Sequence, residues 1–346
     1  MYNNIDIPLF IEIEENGLQN ISEMLKRSNI YINNALIITD KGKSGEFALI
    51  VKDELSISDS MIYYVEDNTY EQVKAVEDFA RKNKADVLIG VGGGLALDIS
   101  KLASFKYGSH FISIPTLPSH DGISSPVASI KIDGKRRSMP AAMPMGIVVD
   151  LNVIRNAPKR FIHSGIMDLL SNLSAIQDWE LAFNKGYEIQ FNGFANAIAY
   201  SAADNILNYP YDDIFAPEFL HICINSLVLS GIAMEITGSS RPASGAEHNF
   251  SHAFDELYPD NTYFHGEKVG LGTLLVSYIR DNGDFEKMMK CYRRFELISA
   301  LEDLNIERDK IVNVFVRSVD FRTRYTILKE REVTPQLAER ILDKIF

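Results

Sequence analysis

Up to residue 150 the chain alternates short apolar runs with helix-period segments, and beyond that point the apolar runs stop. ALIITD (35–40), MIYYVED (61–67), DVLIGV (86–91), FISIP (111–115) and GIVVD (146–150) have the length and residue types of strands. Between them, YEQVKAVEDFARKN and GLALDISKLASF place apolar residues three and four apart, the spacing of a helix face. Strands that show no polar alternation bury both faces, and strand–helix alternation joins them in parallel. A parallel sheet covered by helices on both sides is the expectation for this half. Long amphipathic stretches follow, such as MDLLSNLSAIQDWELAF and FLHICINSLVLSGIAMEI. At 346 residues the chain exceeds the usual size of one core. Two domains are therefore predicted: an α/β domain over residues 1–153 and an all-α domain over 154–346.

Composition narrows the partners. The net charge of −12 argues against a general nucleic-acid or anionic-membrane surface. No apolar run is read as approaching the ~20 residues that cross a bilayer. The start, MYNNIDIPLF, lacks the basic and apolar regions of a signal peptide, so a cytoplasmic location is expected. Cys223 and Cys291 are too few for a disulfide framework or a thiolate metal cage and read as buried small hydrophobes. KIDGKRRSMP gathers Lys131, Lys135, Arg136 and Arg137. It is either a solvated hairpin with an Asp-Gly turn or a basic rim that attracts phosphate.

Open parallel sheets bind ligands beyond the carboxyl ends of their strands. Three segments fall there: Asp40, the glycines of VGGGLALDISK, and the loop PTLPSHDGISSP. Gly92, Gly93 and Gly94 make a Rossmann-like turn without the spaced fingerprint. Glycine there tolerates positive φ and lets a pyrophosphate approach amides at a helix N-terminus. Asp98 and Lys101 follow on that helix. Asp40 is placed to accept bonds from an adenosine ribose. A carboxylate there favours NAD, whereas Lys41 and Lys43 beside it would welcome the 2′-phosphate of NADP.

The helical half offers a second kind of chemistry. GIMDLLSN, SGAEHNFSH and FHGEKVGLG supply Asp168, His248 and His265. One carboxylate and two imidazoles are the set that a catalytic zinc or iron takes, with a coordination position left open for substrate. His252 lies four residues after His248, so the two share a helix face. It is either a third nitrogen ligand or a group beside the metal that binds substrate and relays protons. Glu247 and Glu267 each neighbour a ligand and could orient its imidazole. His110, His163 and His221 read as structural or surface residues.

GGGLALDISK, PTLPSHDGISSP, SSRPASGAEHNFSH and HGEKVGLGT resemble the signature strings of sn-glycerol-1-phosphate dehydrogenases. These belong to the superfamily of glycerol dehydrogenases, iron-dependent alcohol dehydrogenases and dehydroquinate synthases. The resemblance runs from Asp40 to RYTIL (324–328), and PSHDGISSP and SRPASGAEH are its specific parts. It implies a dehydroquinate synthase-like pair of domains with the active site in the cleft between them. The segments Gly94 to Asp98 and Thr116 to Ser119 would line NAD or NADP, and Ser125 would lie near the nicotinamide. Asp121 would hold substrate hydroxyls and His252 would contact substrate, while Asp168, His248 and His265 would hold one divalent metal, zinc first. The implied activity is NAD(P)H-dependent interconversion of dihydroxyacetone phosphate and sn-glycerol 1-phosphate by a homo-oligomer. Rival readings are a glycerol or polyol dehydrogenase acting on unphosphorylated substrate, and a catalytically silent relative that binds nucleotide or metal. A dehydroquinate synthase-like cyclase ranks lower, because Asp168 stands where those enzymes tend to carry glutamate.

Overall fold

The computed structural model describes residues 5–346 and divides into two compact units, residues 1–158 and 159–346. The first unit holds strands β1 (Phe10–Glu14), β2 (Ala35–Thr39), β3 (Ile62–Tyr64), β4 (Val87–Gly92), β5 (His110–Pro115), β6 (Val127–Ile132), β7 (Lys135–Pro140) and β8 (Gly146–Asp150). Its helices are α1 (Ile21–Arg27), α2 (Lys43–Glu54), α3 (Tyr70–Asn83), α4 (Gly94–Tyr107) and α5 (Leu151–Arg155).

Six strands form one sheet in the order β1-β8-β5-β4-β2-β3, with every pairing parallel. Alternate residues of a strand feed opposite faces. Leu36, Ile38 and Leu88 join Val73, Val76 and Leu102 in one core. Ile37, Ile89 and Val91 join Met24, Ala48 and Val51 in the other. Both faces are covered, which is why these strands read as unbroken apolar runs. Each fully buried Leu, Ile or Val contributes about 1.5–3 kcal/mol relative to exposure. The chain order reverses at β2 and β4, whose carboxyl ends carry Asp40 and the triple glycine, so the switch point coincides with the expected ligand segments.

The strands depart from the sequence reading in two places. β1, which the sequence did not announce, pairs with β8 at the sheet edge and has one buried, one exposed and three half-buried residues, so it lacks the continuous apolar signal of the other strands. MIYYVED forms only the three-residue β3. The first compact unit ends at Pro158, and within it Asp150 at the end of β8 caps α5 through the Asn152 and Val153 N–H groups. The Asp-Gly segment is a hairpin of β6 and β7, with Lys135, Arg136 and Arg137 exposed.

The second unit contains only helices and irregular segments among the described residues: α6 (Lys159–Asn184), α7 (Gly193–Leu207), α8 (Pro217–Thr237), α9 (Ala246–Leu257) and α10 (His265–Arg280). α11 (Asp284–Arg294), α12 (Leu297–Glu302), α13 (Arg308–Ser318) and α14 (Pro335–Ile345) follow. α8 corrects the reading that no run is long and apolar enough to span a bilayer: it passes that test by length and composition. Its Phe219, Cys223, Ile224 and Leu227 are nevertheless buried, and it packs chiefly on α7 and also on α6, as a core helix does. Both cysteines are buried and unpaired, as expected.

α10 approaches α6 more closely than ordinary side chains allow. A Cβ on Gly266 would stand 1.9 Å from the Ser164 carbonyl oxygen, and one on Gly270 within 2.6–2.7 Å of the Met167 side chain. The bulk of Met167, just before Asp168, is thus absorbed by the missing side chain of Gly270. Gly270→Ala is expected to destabilise the protein by about 1–3 kcal/mol through overpacking. Combined with Met167→Ala, it should cost less than the sum of the single changes. Strictly additive denaturant midpoints would show that the two residues do not compete for one space.

Candidate active site

In the first unit three segments meet at the glycine turn. Gly92 has φ +153°, and a Cβ there would lie 2.9 Å from that of Ala96 and 3.3 Å from Ser44 Oγ. Its carbonyl accepts from the Thr116 N–H at 3.0 Å. Built Cβ atoms on Gly93 and Gly94 would meet Leu117 and the His120 Nε2, each at 3.0 Å. The PTLPSHD loop therefore closes over the turn. α4 begins after Gly93, which offers no side-chain cap, so its first-turn amides are presented as an uncapped N-terminus. Ser44 at the start of α2 was not anticipated, since a lone serine in a strand–helix connection carries no signal of its own.

The carboxylates around this turn are partly engaged. Asp40 Oδ1 accepts from the Gly42 N–H at 2.7 Å, which orients its side chain at the end of β2. Asp98 Oδ2 accepts from the Ser129 N–H at 3.1 Å, and Oδ1 faces Lys101 Nζ at 3.5 Å. Lys101 is fully buried and donates to the carbonyls of Gly122 and Val127, both at 2.8 Å. Asp98 and Lys101 thus pin the 121–129 segment to α4, holding Asp121 and Ser125 in place. The N–H groups of Ser124 and Ser125 both donate to the Asp121 carbonyl at 3.0 Å, and Ser119 sits half-buried in the same loop. Burial lowers the His120 pKa, against the pull of Asp98 and Asp121, and its Nδ1 accepts from the Gly122 N–H at 2.9 Å. The neutral ring therefore carries its proton on Nε2.

In the second unit Asp168, His248 and His265 offer ligand atoms that all lie within 4.8 Å of one another. They come from the middle of α6, the first turn of α9 and the first residue of α10. The two Nε2 atoms are 3.2 Å apart, and Asp168 Oδ1 is 3.6 Å from that of His265. Two zinc–nitrogen bonds at a tetrahedral angle place their nitrogens about 3.4 Å apart. His248 Nδ1 faces Glu247 Oε1 at 3.0 Å. A carboxylate only accepts, so the His248 proton lies on Nδ1 and Nε2 presents its lone pair to the cluster. Donor type, tautomer and spacing all fit a divalent metal.

The supports of these ligands divide the two glutamates that sequence left open. Burial pushes the Glu247 carboxyl up, but His248 and the Gly245 N–H outweigh it and hold the pKa below its ordinary value. Glu267 does not touch an imidazole. It caps the Phe264 N–H at 2.7 Å and takes Arg160 of α6 at 2.8 Å, fixing the helix start that carries His265. Asp178, fully buried, accepts from the Ala246 N–H at 2.7 Å, the Ile327 N–H at 2.8 Å and Arg280 at 2.7 Å. In sequence it is one aspartate in the long amphipathic stretch MDLLSNLSAIQDWELAF. His252 lies one turn beyond His248, their ring centroids 6.4 Å apart, and falls outside the three-residue cluster. Burial, followed by the charge of Arg322, holds its pKa well below the usual histidine value, so it is neutral at neutral pH.

Replacing Glu247 by Gln removes the carboxylate that fixes His248. Metal affinity, read by chelator competition, should fall about 10–100-fold with the fold intact. An unchanged affinity would mean that Glu247 does not orient the ligand.

Residues 12–158 match the family model described as iron-containing alcohol dehydrogenase. Over 99% of the chain there is 33% identity to a glycerol-1-phosphate dehydrogenase [NAD(P)+] of Archaeoglobus fulgidus, covering 98% of that protein. A protein of the same name from Methanococcoides burtonii is 38% identical over 90% of the chain and 88% of its own length. Among solved structures, a probable glycerol dehydrogenase from Sinorhizobium meliloti superposes with a TM-score of 0.77 at 20% identity, covering 99% of this chain and 98% of that one. Glycerol dehydrogenase from Schizosaccharomyces pombe gives 0.76 at 18% identity, with 99% and 91% covered. These two likenesses concern the fold, whereas the near full-length identities decide membership: the chain belongs to the glycerol-1-phosphate dehydrogenase family.

Proposed function

We propose that this NAD(P)-dependent dehydrogenase interconverts dihydroxyacetone phosphate and sn-glycerol 1-phosphate, with zinc held by Asp168, His248 and His265. The observation that carries the reading is the convergence of one carboxylate oxygen and two Nε2 atoms, with the His248 tautomer set by Glu247. Near full-length identity to proteins named for that activity supports the substrate. Zinc suits two imidazoles and a carboxylate with a fourth position open, and one ion per chain is implied. When bound, such an ion polarises a substrate oxygen as a Lewis acid, and NAD(P)H supplies the hydride.

The chain's own residues do the rest. Gly92, Gly93 and Gly94 clear the approach to the α4 amides, which take the dinucleotide phosphates. Thr116, Ser119 and Ser125 line the same turn, and Asp40 takes the adenosine ribose. Asp121 accepts bonds from the substrate hydroxyls, its loop braced by Lys101 and Asp98. His252, neutral beside the ligand cluster, offers an N–H or a lone pair to the substrate. The metal cluster and its supporting glutamate favour an active enzyme over a silent relative.

Steady-state NAD(P)H oxidation by metal-reconstituted protein should give a kcat/KM for dihydroxyacetone phosphate at least about tenfold above that for dihydroxyacetone, the worth of one charge-assisted contact. Preference for dihydroxyacetone would turn the assignment to a glycerol dehydrogenase on the same scaffold. Asp121→Asn should retain metal while lowering turnover by about 10–100-fold, as the loss of a positioned hydrogen-bond acceptor does. Kinetics untouched by that change would remove the PSHDGISSP loop from the substrate wall.

A further inference from the structure

Several basic side chains in and around the metal-binding helices are neutralised. Arg160 pairs with Glu267, Lys268 with Asp255, Arg280 with Asp178 and Arg241 with Glu188. Arg322 and Arg324, in the irregular segment after α13, are different. Arg324 donates to neutral acceptors, Ser240 Oγ at 2.9 Å and the Ser244 carbonyl at 3.2 Å. Glu188 and Glu247 act on it electrostatically, but the first is bound to Arg241 and the second to His248. Arg322 makes no hydrogen bond or ion pair among the described residues, although it is only partly exposed.

Two guanidiniums withdrawn from water without a carboxylate partner are costly unless an anion completes them. Burial lowers the pKa of both guanidiniums, and that of Arg324, pressed also by Arg241 and Arg322, falls to about 10. Their location follows from geometry: Arg324 holds the Ser244 carbonyl, next to the Gly245 that precedes α9, the helix of His248 and His252, and the charges of both arginines act on His252. Lys268 is already paired with Asp255, which leaves the two arginines as the unneutralised charge beside this histidine. Guanidinium is the group that matches a phosphate bidentately. Lys135, Arg136 and Arg137, the alternative basic cluster, lie on an exposed strand of the β6–β7 hairpin in solvent. Arg241 is committed to Glu188 and the Tyr325 carbonyl.

We propose that Arg322, backed by Arg324, receives the phosphate of a phosphomonoester substrate and so sets the preference for phosphorylated over free triose. The proposal deepens the proposed function and rests on it for the identity of the substrate. Arg322 is the variable element, because Arg324 also ties down the Ser240–Ser244 segment.

The test is Arg322→Gln in the metal-loaded full chain, with Arg137→Gln as the control. Dihydroxyacetone phosphate and dihydroxyacetone kinetics are compared, and inorganic phosphate binding is measured by calorimetry. For Arg322→Gln, kcat/KM on dihydroxyacetone phosphate and phosphate affinity should each fall about 10–100-fold, the loss of a charged hydrogen-bonding partner. Dihydroxyacetone turnover and metal content should match wild type, Arg322→Lys should restore part of the loss, and Arg137→Gln should behave as wild type. Unchanged phosphate binding in Arg322→Gln, or equal losses on both substrates, would overturn the proposal. If the wild-type protein fails to turn over dihydroxyacetone phosphate, the proposed function falls, while phosphate calorimetry still decides the role of Arg322.

Discussion

The helices that bring Asp168, His248 and His265 together, and the segment of Arg322 and Arg324, depend on one buried carboxylate. Asp178 on α6 accepts from the Ala246 N–H at the start of α9, from Arg280 at the end of α10 and from the Ile327 N–H just after Arg322 and Arg324. Burial, and after it the Glu247 charge, push this carboxyl up, against the pull of Arg280 and of the Ile327 and Ala246 N–H groups, all of which donate to it. The geometry therefore fits the ionised form. Removing one member of such a buried pair costs about 3–5 kcal/mol, because the other charge remains without a counter-charge. The three helices that carry Asp168, His248 and His265, α6, α9 and α10, meet at this point. Asp178 lies ten residues from Asp168 along α6, so it bears on how these three side chains are placed.

Close packing supplies what hydrogen bonding does not. His265 comes near Asp168 because Gly266 and Gly270 let α10 settle on α6, and Arg160 locks the start of α10 through Glu267. The His248 side is held differently, by a carboxylate on the adjacent residue rather than by helix contact. Two imidazoles of the same chemical kind are thus oriented by unrelated means. This explains why neighbouring glutamates in similar sequence positions, Glu247 and Glu267, take different roles: one faces a ring nitrogen and the other faces the backbone.

Much of this was legible in the sequence where a pattern carries its own physical signature. Runs such as DVLIGV announced strands buried on both faces, the triple glycine announced a backbone approach, and Asp168, His248 and His265 announced a ligand set by residue type alone. What stayed hidden depends on contacts between distant segments. β1 is a sheet edge with mixed burial, so its five residues have neither a clean alternation nor an apolar run. α8 has the composition of a membrane span, and only its packing shows it to be a core helix. Asp178 looks like any helical aspartate until Ala246, Arg280 and Ile327 are folded around it. Arg322 and Arg324 are equally silent in sequence, since a missing counter-charge cannot be seen before the carboxylates have found their partners.

The two units also present different atoms to their ligands. Around the glycine turn, charged side chains serve the protein itself: Lys101 takes two loop carbonyls, Asp98 takes the Ser129 N–H, and Asp40 orients on Gly42. What the turn leaves available are backbone amides, whose partial charges suit a phosphate without demanding a fixed counter-ion. In the helical unit the order is reversed. The helix N-termini are satisfied internally, by Glu267 at α10 and by Asp178 and Glu247 around α9, and the side chains of Asp168, His248 and His265 converge on one another. Amide contacts to a phosphate are moderate and numerous, so the first arrangement would suit a group that binds and leaves. Side chains braced by buried carboxylates would suit an ion that stays.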